Sequence, residues 1–147
     1  MITQVIFAII AVYFSAIVFE APKKLLPYIA LIGGGGWFIY LWILHYFGPA
    51  IATYLSGLAI AFFSHIAARK FKSPVTVFFL PGFFPLVPGA GMYKTVYWYI
   101  MGDTGQSQSN LTQTMTIAGM IALAIFTVDS LFRLYSIFKH YQLTKHK

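Results

Sequence analysis

Apolar positions fall in five long blocks, at about 2–19, 25–47, 49–68, 74–102 and 111–138, parted by short basic or polar stretches. A run of roughly 17 to 25 apolar residues is the length of a helix that crosses a bilayer. The pattern therefore predicts an all-α, polytopic integral membrane protein. It has about five transmembrane helices in one transmembrane domain, 1–147.

The fourth block is unlike the others. It reads PVTVFFLPGFFPLVPGAGMYKTVYWYIMGD and holds Pro74, Pro81, Pro85 and Pro88 with Gly82, Gly89 and Gly91 among them. Proline removes a backbone donor and clashes with the preceding turn, so no helix runs unbroken through it. In hydrocarbon, irregular backbone persists only where protein buries it or a watery cavity hydrates it. A proline-kinked packing helix would need one proline; four with three glycines predict a discontinuous, cavity-lining fourth helix of the kind found in transporters. Whether 74–103 crosses as a broken helix or returns as a re-entrant hairpin is left to the charge pattern below.

The remaining blocks carry weaker signals. The first has no Lys or Arg before it and Lys23 and Lys24 after it, the reverse of a signal peptide, which predicts a retained helix with its amino terminus outside. The second holds Gly33-Gly34-Gly35-Gly36, each costing roughly 1 kcal/mol of helix relative to alanine. These glycines fit close helix packing, or a second flexible break. The third starts at Pro49, a tolerated first-turn position, and has a small-residue patch at Ala52, Ser56 and Gly57. Residues 102–112 read as a polar loop, with Asn110 or Thr112 capping the last helix rather than forming a glycosylation acceptor. In that helix Asp129 and Arg133 share a face and can pair. His65, one turn before Arg69, receives no role.

Composition agrees with a lipid setting. The chain is 59% hydrophobic and 9% charged, with mean hydropathy +0.76, against about 25% charged residues in soluble domains. The absence of cysteine excludes disulfides and thiolate chemistry, and the four histidines are scattered, so neither a metal site nor a cofactor is expected. The net charge of +7 arises from short basic clusters between apolar blocks, which points to membrane topology and away from nucleic acid. Lys23 and Lys24, then Arg69, Lys70 and Lys72, then Lys139, Lys145 and Lys147 all fall on one side if the chain crosses five times. The positive-inside bias makes that side cytoplasmic, with the carboxyl terminus inside a cell membrane. A re-entrant fourth block would put the last three lysines outside.

The stretch Pro81-Gly82, Phe83-Phe84, Pro85, Leu86-Val87, Pro88-Gly89 and Tyr93 resembles the signature of the threonine/serine exporter family, in particular its small membrane subunit. The resemblance implies an exporter of threonine and serine, or of a small dicarboxylate such as succinate, driven by the proton gradient. It further implies a larger membrane subunit as partner, beside lipid and the small substrate; a second copy of the chain is a further candidate partner.

Every such substrate carries a carboxylate. After Pro88-Gly89 a half-helix starting near Ala90 would present unpaired amides and its dipole to an anion. Gly89 and Gly91 would let a ligand approach the backbone. The expected substrate-binding residues are Pro81, Gly82, Pro85, Pro88, Gly89, Gly91, Tyr93, Lys94 and Tyr97. Lys94 either neutralises a substrate carboxylate at depth or snorkels to the headgroups among Tyr97, Trp98 and Tyr99. Asp129, the one carboxylate inside an apolar block, is the candidate for proton coupling, against the simpler reading of an interfacial ion pair. Two other classes compete with transport. A non-transporting assembly subunit would use the same small-residue faces but has no need of the break. An intramembrane enzyme lacks a nucleophile with a base, paired carboxylates and a metal set.

Overall fold

Helix α1, Ile2–Val18, is apolar on every side and ends where Glu20 takes a positive φ of 54°. It buries only a stripe of small or branched residues, Ala8, Val12, Ser15 and Ala16, and leaves Ile6, Phe7, Phe14 and Ile17 outward. That is a membrane protein's surface: large apolar side chains face outward because the surroundings are apolar too. The computed structural model describes residues 1–145, with side-chain surroundings to 137, so the side chains of the basic tail lie outside the described residues.

A short 3-10 turn, Lys23–Leu25, leads into α2, Leu26–Phe71. Its 46 residues are not one rod. Gly48 has φ 78° and ψ 173°, and the hydroxyl of Ser56 donates to the Gly36 carbonyl at 2.6 Å. Residues twenty apart in a straight helix would be separated by about 30 Å. Residues 26–47 and 49–71 are therefore two antiparallel arms folded at Gly48, and Pro49 opens the second arm as its position predicts.

The tetraglycine stretch stays helical, so the flexible-break reading fails and close packing stands. A Cβ at Gly33 would meet Val12 of α1 at 2.7 Å and the Gly82 carbonyl at 3.0 Å, one at Gly34 would meet Ile9, and one at Gly36 would meet Ile60 of the opposite arm; at Gly35 nothing lies within 4 Å. Three of the glycines thus face three different neighbours. Ser56 fixes the arms at this level, and its removal leaves a buried carbonyl short of its extra donor. Ser56→Ala should lower thermal stability in detergent by about 1 kcal/mol, read as a reduced melting temperature; an unchanged value would mean that packing alone sets the register of the arms.

Beyond Lys72, whose left-handed φ of 50° closes the second arm, the chain forms α3, Thr76–Gly82, a 3-10 turn at Phe84–Leu86, and α4, Gly89–Ile100. Helix α5, Thr104–Lys145, completes the fold. The core has two parts. Val12, Ala16, Ile29, Ala68 and Phe78 join α1, the first arm, the second arm and α3. Ile60, Ala61, Phe83, Leu86 and Val128 join the second arm, the broken segment and α5.

Two helices, Lys23–Phe71 with its 3-10 turn and Thr104–Ile137, are long and apolar enough to cross a membrane, and the bent pair Thr76–Leu86 and Gly89–Ile100 together could form a third span; α1 is a shorter apolar helix. The expected polar loop at 102–112 is corrected. Asp103, not Asn110 or Thr112, caps α5: its carboxylate accepts from the Gln106 amide at 2.9 Å and its carbonyl from the Ser107 amide at 3.1 Å. The Thr and Asn side chains that read as loop formers donate back to carbonyls one turn earlier, Asn110 to Gln106, Thr112 to Gln108 and Thr116 to Thr112.

Candidate functional site

The chain breaks after Pro81, which itself stays inside α3. Helix α3 ends at Gly82, and Phe83, the 3-10 turn and an extended Val87 (φ −63°, ψ 127°) carry the chain to Pro88. Helix α4 then begins at Gly89, one residue from the expected start, and is bent by 48° from the preceding helical piece. Pro81 and Gly82 are buried, and a Cβ at Gly82 would come within 3.2 Å of Ile60. Pro85 and Pro88 are half-buried. The inner side of the break is thus held by protein.

At the start of α4 no side chain caps the helix. The Gly89 amide donates to Val87 at 2.8 Å and the Met92 amide to Pro88 at 3.0 Å, while helix geometry leaves the Ala90 and Gly91 amides without partners in α4 itself. The two glycines differ in access. A Cβ at Gly91 would strike Thr114 of α5, whereas around Gly89 nothing lies within 4 Å, so only Gly89 is open to a ligand.

Beyond Pro85, Pro88, Gly89 and Gly91 at the break itself, the other five expected binding residues fall into two groups. Pro81 and Gly82 are in the core beside Gly33 and Ile60, whereas Tyr93, Lys94 and Tyr97 stand on the outward face of α4, with the Tyr93 and Tyr97 rings stacked 6.1 Å apart. Helix α4 buries none of its residues. It is held to α5 by the Gly91–Thr114 contact and by the Ser107 hydroxyl, which donates to the Thr95 carbonyl at 2.8 Å. Lys94 makes no ion pair among the described residues.

Asp129 has a different partner from the one its spacing favours. No ion pair with Arg133 forms among the described residues; Oδ1 instead meets Nε2 of His65 on α2 at 2.6 Å, across 64 residues of sequence. The His65 ring lies flat on Phe132, with centroids 4.4 Å apart and planes at 9°, and the Arg69 guanidinium sits 4.5 Å from the same Phe132 ring. This cation–π contact holds Arg69 beside the pair. His65, Arg69, Asp129, Arg133 and Ser136 line one open cavity of about 280 Å³. The signal for His65 was in the sequence: His65 precedes Arg69, and Asp129 precedes Arg133, by the same four residues on two apolar blocks. Among the described residues no group of acidic, His or Cys side chains could hold a metal ion.

Known proteins resemble this chain in sequence. The threonine/serine exporter family matches residues 4–131, which include the whole break and Asp129. A threonine/serine exporter from Corynebacterium glutamicum is 27% identical over 96 residues, 65% of this chain and 19% of that protein, so the chain spans about a fifth of its relative's length. No solved structure matches. With a broken helix at its Pro-Gly signature and a family match over most of its length, the chain belongs to the threonine/serine exporter family.

Proposed function

We propose that the chain is one membrane subunit of a secondary active exporter of small carboxylate-bearing metabolites, threonine and serine or a dicarboxylate such as succinate, driven by the proton gradient. The observation that carries this reading is the helix break at 83–88, which lies inside the stretch matched by an exporter family. A break of this kind exposes backbone groups and a helix amino terminus to a ligand, and a packing helix has no use for it. The reading takes five crossings, α1, the two arms of α2, the bent α3–α4 pair and α5, with the amino terminus outside and the basic clusters in the cytoplasm. Substrate meets the break at Gly89, Tyr93, Lys94 and Tyr97, on a backbone that Pro81, Gly82, Pro85 and Pro88 shape and that Gly91 fixes against Thr114, and Asp129 carries the coupling proton. A larger membrane subunit completes the transporter, in keeping with the share of its relative that this chain spans.

Efflux of labelled threonine, serine and succinate tests this, from cells expressing the chain alone, its larger partner alone, or both, with and without an uncoupler. Export that needs both chains and stops on uncoupling is expected. Full export by the partner alone would make this chain an assembly subunit instead. That second reading has its own support: α4 buries nothing, and the Thr, Ser and Gln side chains along the start of α5 are largely exposed, as on a face made to dock a partner.

A further inference from the structure

The cavity between α2 and α5 has a charge pattern that no ion pair within it uses up. Asp129 gives one carboxylate oxygen, Oδ1, to His65, and its second oxygen accepts nothing among the described residues. Arg69 and Arg133 line the same space, and neither has a carboxylate partner among the described residues. An open cavity of about 280 Å³ with one available carboxylate oxygen and two guanidiniums is complementary to a small ampholyte, a molecule with its own carboxylate and ammonium on adjacent atoms.

We propose that this cavity is a binding site for a zwitterionic α-amino acid, its carboxylate on Arg69 and Arg133 and its ammonium on the second oxygen of Asp129. The proposal rests on the exporter reading and deepens it, because it gives the cargo a place in this chain. The groups that face Asp129 are His65 and Arg69 from α2 and Arg133 from its own helix, with Tyr135 near Arg69 at 6.0 Å; Val75, the lining residue before α3, adds no charge. The same pattern decides between the two cargo classes. A dicarboxylate would set its second negative charge beside Asp129, whereas an amino acid sets an ammonium there.

The chain has no cysteine, so Ser136→Cys places a single thiol at the rim of the cavity. Maleimide labelling of that thiol is followed in freeze–thawed membranes of cells holding the complete exporter, with efflux by the unsubstituted chain measured in parallel. L-Threonine at about ten times its Kd should slow labelling about tenfold. Threonine methyl ester, N-acetylthreonine and succinate should leave labelling unchanged. Asp129→Asn should abolish protection and Asp129→Glu should restore part of it, and a Ser15→Cys reporter, buried on α1 away from the cavity, stays protected in each variant that is folded. Protection by succinate equal to that by threonine, or threonine protection that survives Asp129→Asn, overturns the proposal. Export without protection overturns the site and leaves the exporter reading standing. Protection without export keeps the site and overturns the exporter reading, and loss of both overturns both.

Discussion

Gly33→Leu is expected to prevent α1, α2 and α3 from docking. Gly33 is the point where these three helices meet, with the Val12 side chain 2.7 Å and the Gly82 carbonyl 3.0 Å from where a Cβ would stand. Val12 could turn away, but the Gly82 carbonyl is backbone at the end of α3 and yields less readily than a side chain. Overpacking of a tight site costs about 1 to 3 kcal/mol when side chains can yield, and more when backbone must. The measurement is the monodisperse fraction recovered in mild detergent and its melting temperature, where near-complete loss of folded protein is expected. Gly35→Ala is the matched control. Its Cβ meets nothing within 4 Å, so it should leave folding intact or stabilise it by up to about 1 kcal/mol through helix propensity. Equal damage from both would mean that the glycines matter for flexibility and not for contact.

Gly48→Val should be nearly as severe, for a different reason. With φ 78° and ψ 173°, Gly48 occupies a region that is open almost to glycine alone, and a β-branched residue there costs on the order of 1 to 3 kcal/mol before any contact is counted. No atom lies within 4 Å of its would-be Cβ, so strain is the whole effect. If residues 26–71 straightened instead, the Ser56–Gly36 bond would be lost and a single helix of about 69 Å would replace two arms. Accessibility of single cysteines at Ile43 and Ile60, both buried, reads the outcome: protection at both is expected in the parent chain and loss of it in the variant. Retained protection would mean that Pro49 alone sets the fold of the arms.

What could be read in advance followed the reach of each physical rule. Proline acts on its own backbone, so a break in this segment and, within one residue, the start of α4 were readable, although Pro81 stays inside α3 and the break falls at 83–88. Glycine's role is decided by what lies opposite, and for Gly33 to Gly36 the sequence left packing and flexibility open. The polar stretch at 102–112 was misread because Thr, Ser and Asn serve turns and helices alike; the choice was made by Asp103 capping α5 and by hydroxyls bonding one turn back. His65 was passed over for the opposite reason. The i,i+4 rule sees one helix at a time and paired Asp129 with Arg133, while the true partner stands on another helix and only the packing of α2 against α5 brings it to 2.6 Å.

Helix α5 has 42 residues, about 63 Å of regular helix, or twice the hydrocarbon thickness. Asp129 sits toward one end, while Ser107 and Thr114, which hold α4, sit at the other. From Asp129 to Thr104 is about 38 Å, so a tilt of about 5° pivoting at the ion pair swings the α4 end through about 3 Å. A rod of this length would serve as a lever. On the proposed site, loading or emptying the carboxylate at its short arm would shift α4 at its long arm by a hydrogen bond's length, with no bending of the helix between them.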